Sequence, residues 1–233
     1  MNEKPEPRPG TSPASTRQRI LDLLKARGTL GIGELANELH VTREAARQQL
    51  ALMESQGWVR REARQSGGKG RPPLRFVLSE AAEHLFPKHY DALAVQLVTA
   101  VGETLGEDRL RDLLAELTDR QVAEWRPSLA GRSLPDKVEA LRGIYVEDDP
   151  YTDTEVRDGE LRLIERNCPF YKVAMAQPRL CSLTVSTLTR LLGHRVVREA
   201  RFQHGDGRCV FRVLTDQPVD AEDFRFEFER REN

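Results

Sequence analysis

Three cysteines are the residues best placed to do chemistry: Cys168, Cys181 and Cys209, in a C-x12-C-x27-C spacing. They stand in three local contexts, Asn167-Cys168-Pro169-Phe170, Gln177-Pro178-Arg179-Leu180-Cys181 and Gly207-Arg208-Cys209-Val210-Phe211. The spacing lacks the C-x2-C knuckle usual in zinc modules, and an odd number cannot all pair as intramolecular disulfides. Iron-sulfur clusters take thiolate ligands, and a Cys-Pro pair often accompanies them. Pro178 reads as the first residue of a helix. Cys181 then falls in a first turn, where free amide N–H groups and the helix dipole favour a thiolate or an anionic cluster. Three ordinary buried cysteines explain the spacing equally well, because free Cys is among the most buried residue types.

The elements that must position these thiols belong to a chain of 233 residues, 39% hydrophobic and 31% charged, which is ordinary globular composition with room for two modest domains. No apolar run approaches the roughly 18 residues that a membrane helix needs. The start, Met1 to Gly10, has no apolar signal region. Together with the few cysteines this points to the cytoplasm, where thiols stay reduced. The net charge of -1 conceals a division: residues 1 to 88 carry 15 basic and 10 acidic side chains, a balance of +5, and the remainder 21 and 27, a balance of -6. A basic front and an acidic back suggest one module that faces nucleic acid and one that faces something else.

The expected architecture is α+β. Residues 1–14 form a disordered tail, and residues 15–87 a winged helix-turn-helix. Within the latter, Thr16 caps a helix with Ile20, Leu21 and Leu24 inward, ended by Gly28. A second helix spans about Gly33 to His40, with Leu35, Ala36 and Leu39 inward. A third runs from the cap Thr42 to about Ser55, with Ala46, Leu50 and Met53 inward. The outer face of this third helix carries Arg43, Glu44, Ala45, Arg47 and Gln48, the position from which a recognition helix enters a major groove. Arg47 can bond guanine and Gln48 adenine, while Thr42, Arg43 and the helix N-terminus meet phosphates. Strands at about 57–61 and 74–78 flank a Gly- and Pro-rich loop with Arg64, Lys69 and Arg71 at its tip, a wing able to reach phosphates or the minor groove.

Residues 88–130 read as dimerisation helices, with stripes at Tyr90, Ala94, Leu97, Val98, Val101 and Leu105, and at Leu110, Leu113, Leu114, Leu117 and Trp125. A partner copy would set two recognition helices about 34 Å apart on two half-sites. Residues 126–135 read as a linker. Residues 131–215 read as a small α+β sensor domain: a helix at about 135–145, a hairpin turning at Asp158-Gly159, a helix from Pro178 to Leu192, and strands at 195–202 and 209–214. Residues 216–233 read as a polar acidic tail in which Phe224, Phe226 and Phe228 alternate as in an edge strand.

The run Glu165-Arg166-Asn167-Cys168-Pro169, Cys181, Leu191-Leu192-Gly193 and Gly207-Arg208-Cys209-Val210-Phe211 resembles the C-terminal half of SufR-type regulators. These are iron-sulfur cluster-binding winged-helix repressors in the ArsR and DeoR-like neighbourhood. The resemblance covers roughly Arg17 to Leu214, with one departure: Thr184 stands where relatives often carry Glu. It implies a repressor of cluster-assembly genes that binds a double-stranded operator as a homodimer. Cys168, Cys181 and Cys209 would be three ligands of an iron-sulfur cluster, a 4Fe-4S centre ahead of a 2Fe-2S one. One iron position is then left for His204, His194, a carboxylate, a small thiol or solvent, with His204 the first to test. Gripping the cluster would order the three cysteine-bearing elements and favour the spacing that fits the operator.

Two other readings stay open: a regulator whose cysteines bind zinc or form a redox thiol switch, and a C-terminal redox or enzymatic domain with accessory DNA binding. No His-Asp-Ser arrangement, phosphate loop or paired metal-binding histidines support catalysis. Neither an enzyme nor a small-molecule substrate is therefore expected, and no membrane partner.

Overall fold

The computed structural model describes residues 15–63 and 74–229. The chain is mixed α+β and divides after Lys88 into two compact units. The tail 1–14, the expected wing tip with Arg64, Lys69 and Arg71, and residues 230–233 lie outside the described residues.

In the first unit, α1 (Thr16–Arg27) starts one residue earlier than predicted. Ser15 is the N-cap, its hydroxyl accepting from the Gln18 amide, and Thr16 is the first helical residue. Gly28 ends the helix at φ 78°, a left-handed value that suits glycine. A short β1 (Thr29–Gly31), not foreseen, leads into α2 (Ile32–Leu39) and α3 (Arg43–Ser55). Then β2 (Val59–Ala63) and β3 (Leu74–Leu78) pair antiparallel, with β3 central in the order β1-β3-β2. The apolar stripes of the three helices meet as one core of Ile20, Leu24, Leu35, Leu50 and Met53, each at most 1% exposed, closed by Phe76 from the sheet. Burial of such side chains contributes about 1.5–3 kcal/mol apiece. After Ser79 the chain makes a 3-10 turn over Glu80–Leu85.

The second unit contains α4 (Tyr90–Leu105), α5 (Glu107–Leu129), α6 (Leu134–Tyr145), β4 (Asp153–Arg157), β5 (Glu160–Glu165), α7 (Tyr171–Ala176), α8 (Cys181–Leu192), β6 (His194–Ala200) and β7 (Cys209–Pro218). Its antiparallel sheet has the order β4-β5-β7-β6. The β4–β5 turn has Asp158 at φ 56° and Gly159 at φ 78°, the paired positive values that an Asp-Gly hairpin requires. From alternate positions Leu163, Val196, Cys209, Phe211 and Val213 join Val122, Leu129, Val138, Leu141 and Leu188 of the helices in a single core. The residues between them build a charged lattice across β5, β6 and β7. Arg162 bonds Glu199 at 2.7 Å, and Arg212 pairs with Glu160 at 2.9 Å and Glu199 at 2.8 Å.

Three expectations are corrected here. Residues 126–135 do not begin as a linker: α5 continues through Pro127 to Leu129. An internal Pro costs about 3 kcal/mol, but here it falls in the last turn, and Leu129 and Val122 anchor that end in the core. The helices of 88–130 also share one unit with 131–215, because α5 packs on α8. Phe224, Phe226 and Phe228 form no strand. The segment after β7 is instead fastened by Val219 N–H to the Gly193 carbonyl at 2.9 Å and by Arg126–Glu222 and Arg195–Glu227 ion pairs at 2.9 and 3.0 Å.

Candidate cysteine site and nucleic-acid interface

The DNA-facing candidates group on α3. Thr42 is its N-cap, accepting from the Ala45 amide at 3.1 Å, so the residue expected to meet phosphate also fixes the start of the helix. Arg43, Glu44, Arg47 and Gln48 are exposed and Ala45 is half-buried, while Ala46, Leu50 and Met53 hold the opposite face in the core. Arg47 touches Glu44 at 3.4 Å with both side chains more than 60% exposed. A pair so solvated is worth little and leaves the guanidinium free to re-aim. Behind the helix, Glu34 accepts from the Gly31 amide at 2.6 Å and pairs with Arg75 at 3.0 Å, which ties α2 to the sheet.

The cysteines come from three elements that meet at one end of the second sheet. Cys209 opens β7 and is the cross-strand partner of Glu165, the last residue of β5. Three residues on, Cys168 sits in the turn before α7, its carbonyl accepting from the Tyr171 amide at 3.1 Å. Cys181 is the first residue of α8, preceded by a 3-10 turn over Pro178–Leu180 in place of the predicted first helical turn. All three are free thiols, Cys209 buried and the others half-buried. Burial pushes the Cys168 thiol up to about 12, and the charges of Glu165, Cys209 and Cys181 push the same way. Burial also raises Cys181 and Cys209, against the pull of Arg198.

Arg198 is the hub of this end. Its side chain, 2% exposed, donates to both oxygens of Glu229 at 3.1 and 3.3 Å and to the Cys181 carbonyl at 2.8 Å. The guanidinium lies 4.5 Å from the Phe211 ring centre. Burial works against its charge, but Glu229 and the Cys209 and Cys181 thiols more than offset this and raise its pKa. Gln203 donates from Nε2 to Cys181 Sγ at 3.0 Å and to the Ala174 carbonyl at 3.2 Å, joining α7 to α8. Asp149, fully buried, fixes the loop of Cys168. Its Oδ2 accepts from the amides of Arg166 and Asn167 at 2.6 and 2.9 Å, and its Oδ1 from that of Tyr151 at 2.9 Å. Burial works against its charge too, but these donors hold its carboxyl below the ordinary value.

Arg198, Gln203, Asp149 and Glu165 were not singled out by sequence reasoning. Glu165 and Arg198 did leave a signal, since each continues an inward alternation, Leu161-Leu163-Glu165 and Val196-Arg198. Asp149 left none. His204 is exposed at the end of the 3-10 turn Phe202–His204, and His194 pairs with Pro218 at the far end of β7 from Cys209.

The donor set suits an iron-sulfur centre in type, with three thiols, a buried cation beside Cys181 and Cys209 that offsets negative charge, and an N–H group directed at the Cys181 sulfur. One polar group here also remains unfinished: Gln203 Oε1 is buried without a partner. Among the described residues no three His, Cys, Asp or Glu side chains form a group able to hold a single metal ion. A multinuclear centre binds each thiolate through a different iron and so asks for a wider ring of donors.

No helix among the described residues is long and apolar enough to cross a membrane. No curated protein matches the chain. The protein-family model for the HTH domain HTH_11 matches residues 16–68, the span that holds α1 to α3 and β2. With α3 exposed as described, residues 16–68 are a helix-turn-helix DNA-binding domain, and the protein is a DNA-binding transcription regulator.

Proposed function

We propose that this regulator is a repressor of iron-sulfur cluster assembly genes and that its operator affinity is set by an iron-sulfur cluster held by Cys168, Cys181 and Cys209. The observation that supports the proposal is that these cysteines, far apart in sequence, come from three elements at one end of the second sheet, where Arg198 donates to the Cys181 carbonyl and Cys209 pairs with Glu165 across the ladder. The target genes rest on the resemblance to SufR-type regulators. When bound, the centre supplies a link between elements that is sensitive to oxidants and to iron supply. Cys168 ties in the loop held by Asp149, Cys181 the start of α8, and Cys209 the start of β7. Arg198 balances the negative charge of three thiolates, and Gln203 steadies one of them.

A zinc site fits less well, because no described trio of donors is grouped tightly enough for one ion.

The operator is read by a homodimer. Leu93, Leu97 and Leu105 on α4 and Leu113 and Leu117 on α5 are 40–61% exposed, and this apolar surface is suited to a second copy of the chain. Protein purified without oxygen is expected to absorb in the visible region and to contain iron and sulfide. The Cys168→Ser, Cys181→Ser, Cys209→Ser triple variant is expected to be colourless and altered in operator affinity. A triple variant that binds operator DNA as tightly as the intact holo-protein would disprove the coupling.

A further inference from the structure

We propose that residues 219–229 are a detachable strap: an acidic, aromatic segment that fills a basic groove of α5, α8 and β6, clamps the first turn of α8 with its tip, and on release opens the chain around Cys181. After Val219 the strap carries five acidic side chains and one basic one, Arg225. Phe224, Phe226 and Phe228 are half-buried while Arg225 and Glu227 between them are exposed, so the alternation turns three rings toward the groove without a strand partner. The groove answers both kinds of side chain. Arg126 pairs with Glu222 at 2.9 Å and Arg195 with Glu227 at 3.0 Å, and Arg111 and Arg179 lie 5.6 and 5.9 Å from the Phe228 ring centre.

The tip holds both residues that begin α8. The Glu229 amide donates to Ser182 Oγ at 2.9 Å, and the Glu229 carboxylate takes the Arg198 guanidinium, which also donates to the Cys181 carbonyl at 2.8 Å. Between root and tip the attachment is weak. The amides of Glu222 and Phe224 are spent inside the strap, both on Asp220. The ion pairs to Arg126 and Arg195 have side chains 40–75% exposed, a class that contributes little and that salt screens. The fit is also loose. Spaces of about 110 and 220 Å³ remain between strap and groove, and at the wall of the smaller one Arg190 Nε is buried without a hydrogen-bond partner among the described residues. A segment settled permanently into a core leaves few such voids and few unsatisfied donors, whereas one that comes away does not reach that fit.

The opening requires no bound cluster, so the test uses the full chain in its apo form and its outcome is separate from the fate of the cluster reading. Iodoacetamide labelling is followed cysteine by cysteine by mass spectrometry in wild type and in the Phe226→Ala, Phe228→Ala double variant, whose fold is checked by far-UV circular dichroism. The double variant loses strap contacts and keeps Arg198 and Glu229. Its Cys181 is expected to label about tenfold faster than in wild type, with Cys209 in the β7 ladder unchanged. Added salt should quicken Cys181 labelling in the wild type in the same sense. Should the double variant fail to fold, hydrogen exchange on the wild type decides: residues 220–228 are expected to exchange faster than β6, and faster still in salt. An unchanged Cys181 rate, an equal rise at Cys181 and Cys209, or strap amides that exchange as slowly as those of β6 would overturn the proposal.

Discussion

The two units bury different kinds of residue. The core of the first is wholly apolar, from Ile20 and Leu24 through Leu50 and Met53 to Phe76. Every buried polar or charged side chain among the described residues lies in the second, including Asp149, Glu165 and Arg198. Desolvating such groups costs free energy that apolar packing would not, and a buried ion pair seldom returns more than a well-packed hydrophobic replacement. The first unit is therefore built for stability and presents its chemistry on an exposed helix face. The second keeps its chemistry inside and depends on how completely each buried group is partnered.

The largest predicted effect tests whether the units are energetically separate. Phe211 is 0% exposed, at the centre of the second core and under the Arg198 guanidinium. Phe211→Ala is expected to destabilise that unit by about 3–5 kcal/mol. Hydrogen exchange should show protection lost in β5, β7 and α8 and kept in α1 to α3. Equal loss in both would break the distinction. Next comes Asp149→Asn, in which one carbonyl oxygen replaces a carboxylate that accepts three amides. Stranding one or two buried N–H groups costs about 1–3 kcal/mol. A melting temperature unchanged in this variant would mean that the Cys168 loop is held by something else.

The same contrast explains how much could be read from sequence. In the first unit each side chain that matters is either an apolar residue at helical period or a polar one at a cap or on an outer face. Leu35, Leu50 and Thr42 therefore announced their places, and the Asp158-Gly159 turn in the second unit did likewise. The cysteines were visible as types. Their surroundings were much less so: the alternation Val196-Arg198 marks Arg198 as inward, but only the packing of Glu229 and Phe211 around it reveals a buried, paired cation. The six-residue α7 is too short to show a period, and its start depends on the Cys168 carbonyl. The alternating Phe224, Phe226 and Phe228 suggested an edge strand, yet their segment is held by side-chain ion pairs and not by a ladder.

Effects on recognition should be smaller and confined to binding. Arg47 and Gln48 are exposed on α3, and Arg47 has only a solvated contact to Glu44. Replacing either by Ala is expected to leave the melting curve unchanged. It should weaken operator binding by about 1–3 kcal/mol, roughly tenfold to a hundredfold, and relax the preference at the base pair that the side chain meets. Competition binding against operators altered one base pair at a time checks this. Uniform weakening at every position would instead make the residue a phosphate contact.

The smallest effect belongs to the surface of the first unit and sharpens the contrast from its other side. Hydrogen bonds from Lys25 at 2.5 Å and Lys88 at 2.8 Å hold the Glu83 carboxyl down to about 2, from an ordinary value of 4.5. Because the folded value is the lower one, the unfolded chain binds the proton first as pH falls. The stabilisation is complete above about pH 4.5 and disappears on acidification through about pH 2. Glu83→Gln should therefore be slightly less stable than wild type at neutral pH, with the gap closing across that acid window. Added salt should shrink the gap at neutral pH, since all three side chains are 31–45% exposed. A gap that persists at pH 2, or that ignores salt, would mean that Glu83 acts through packing, as the buried charges of the second unit do.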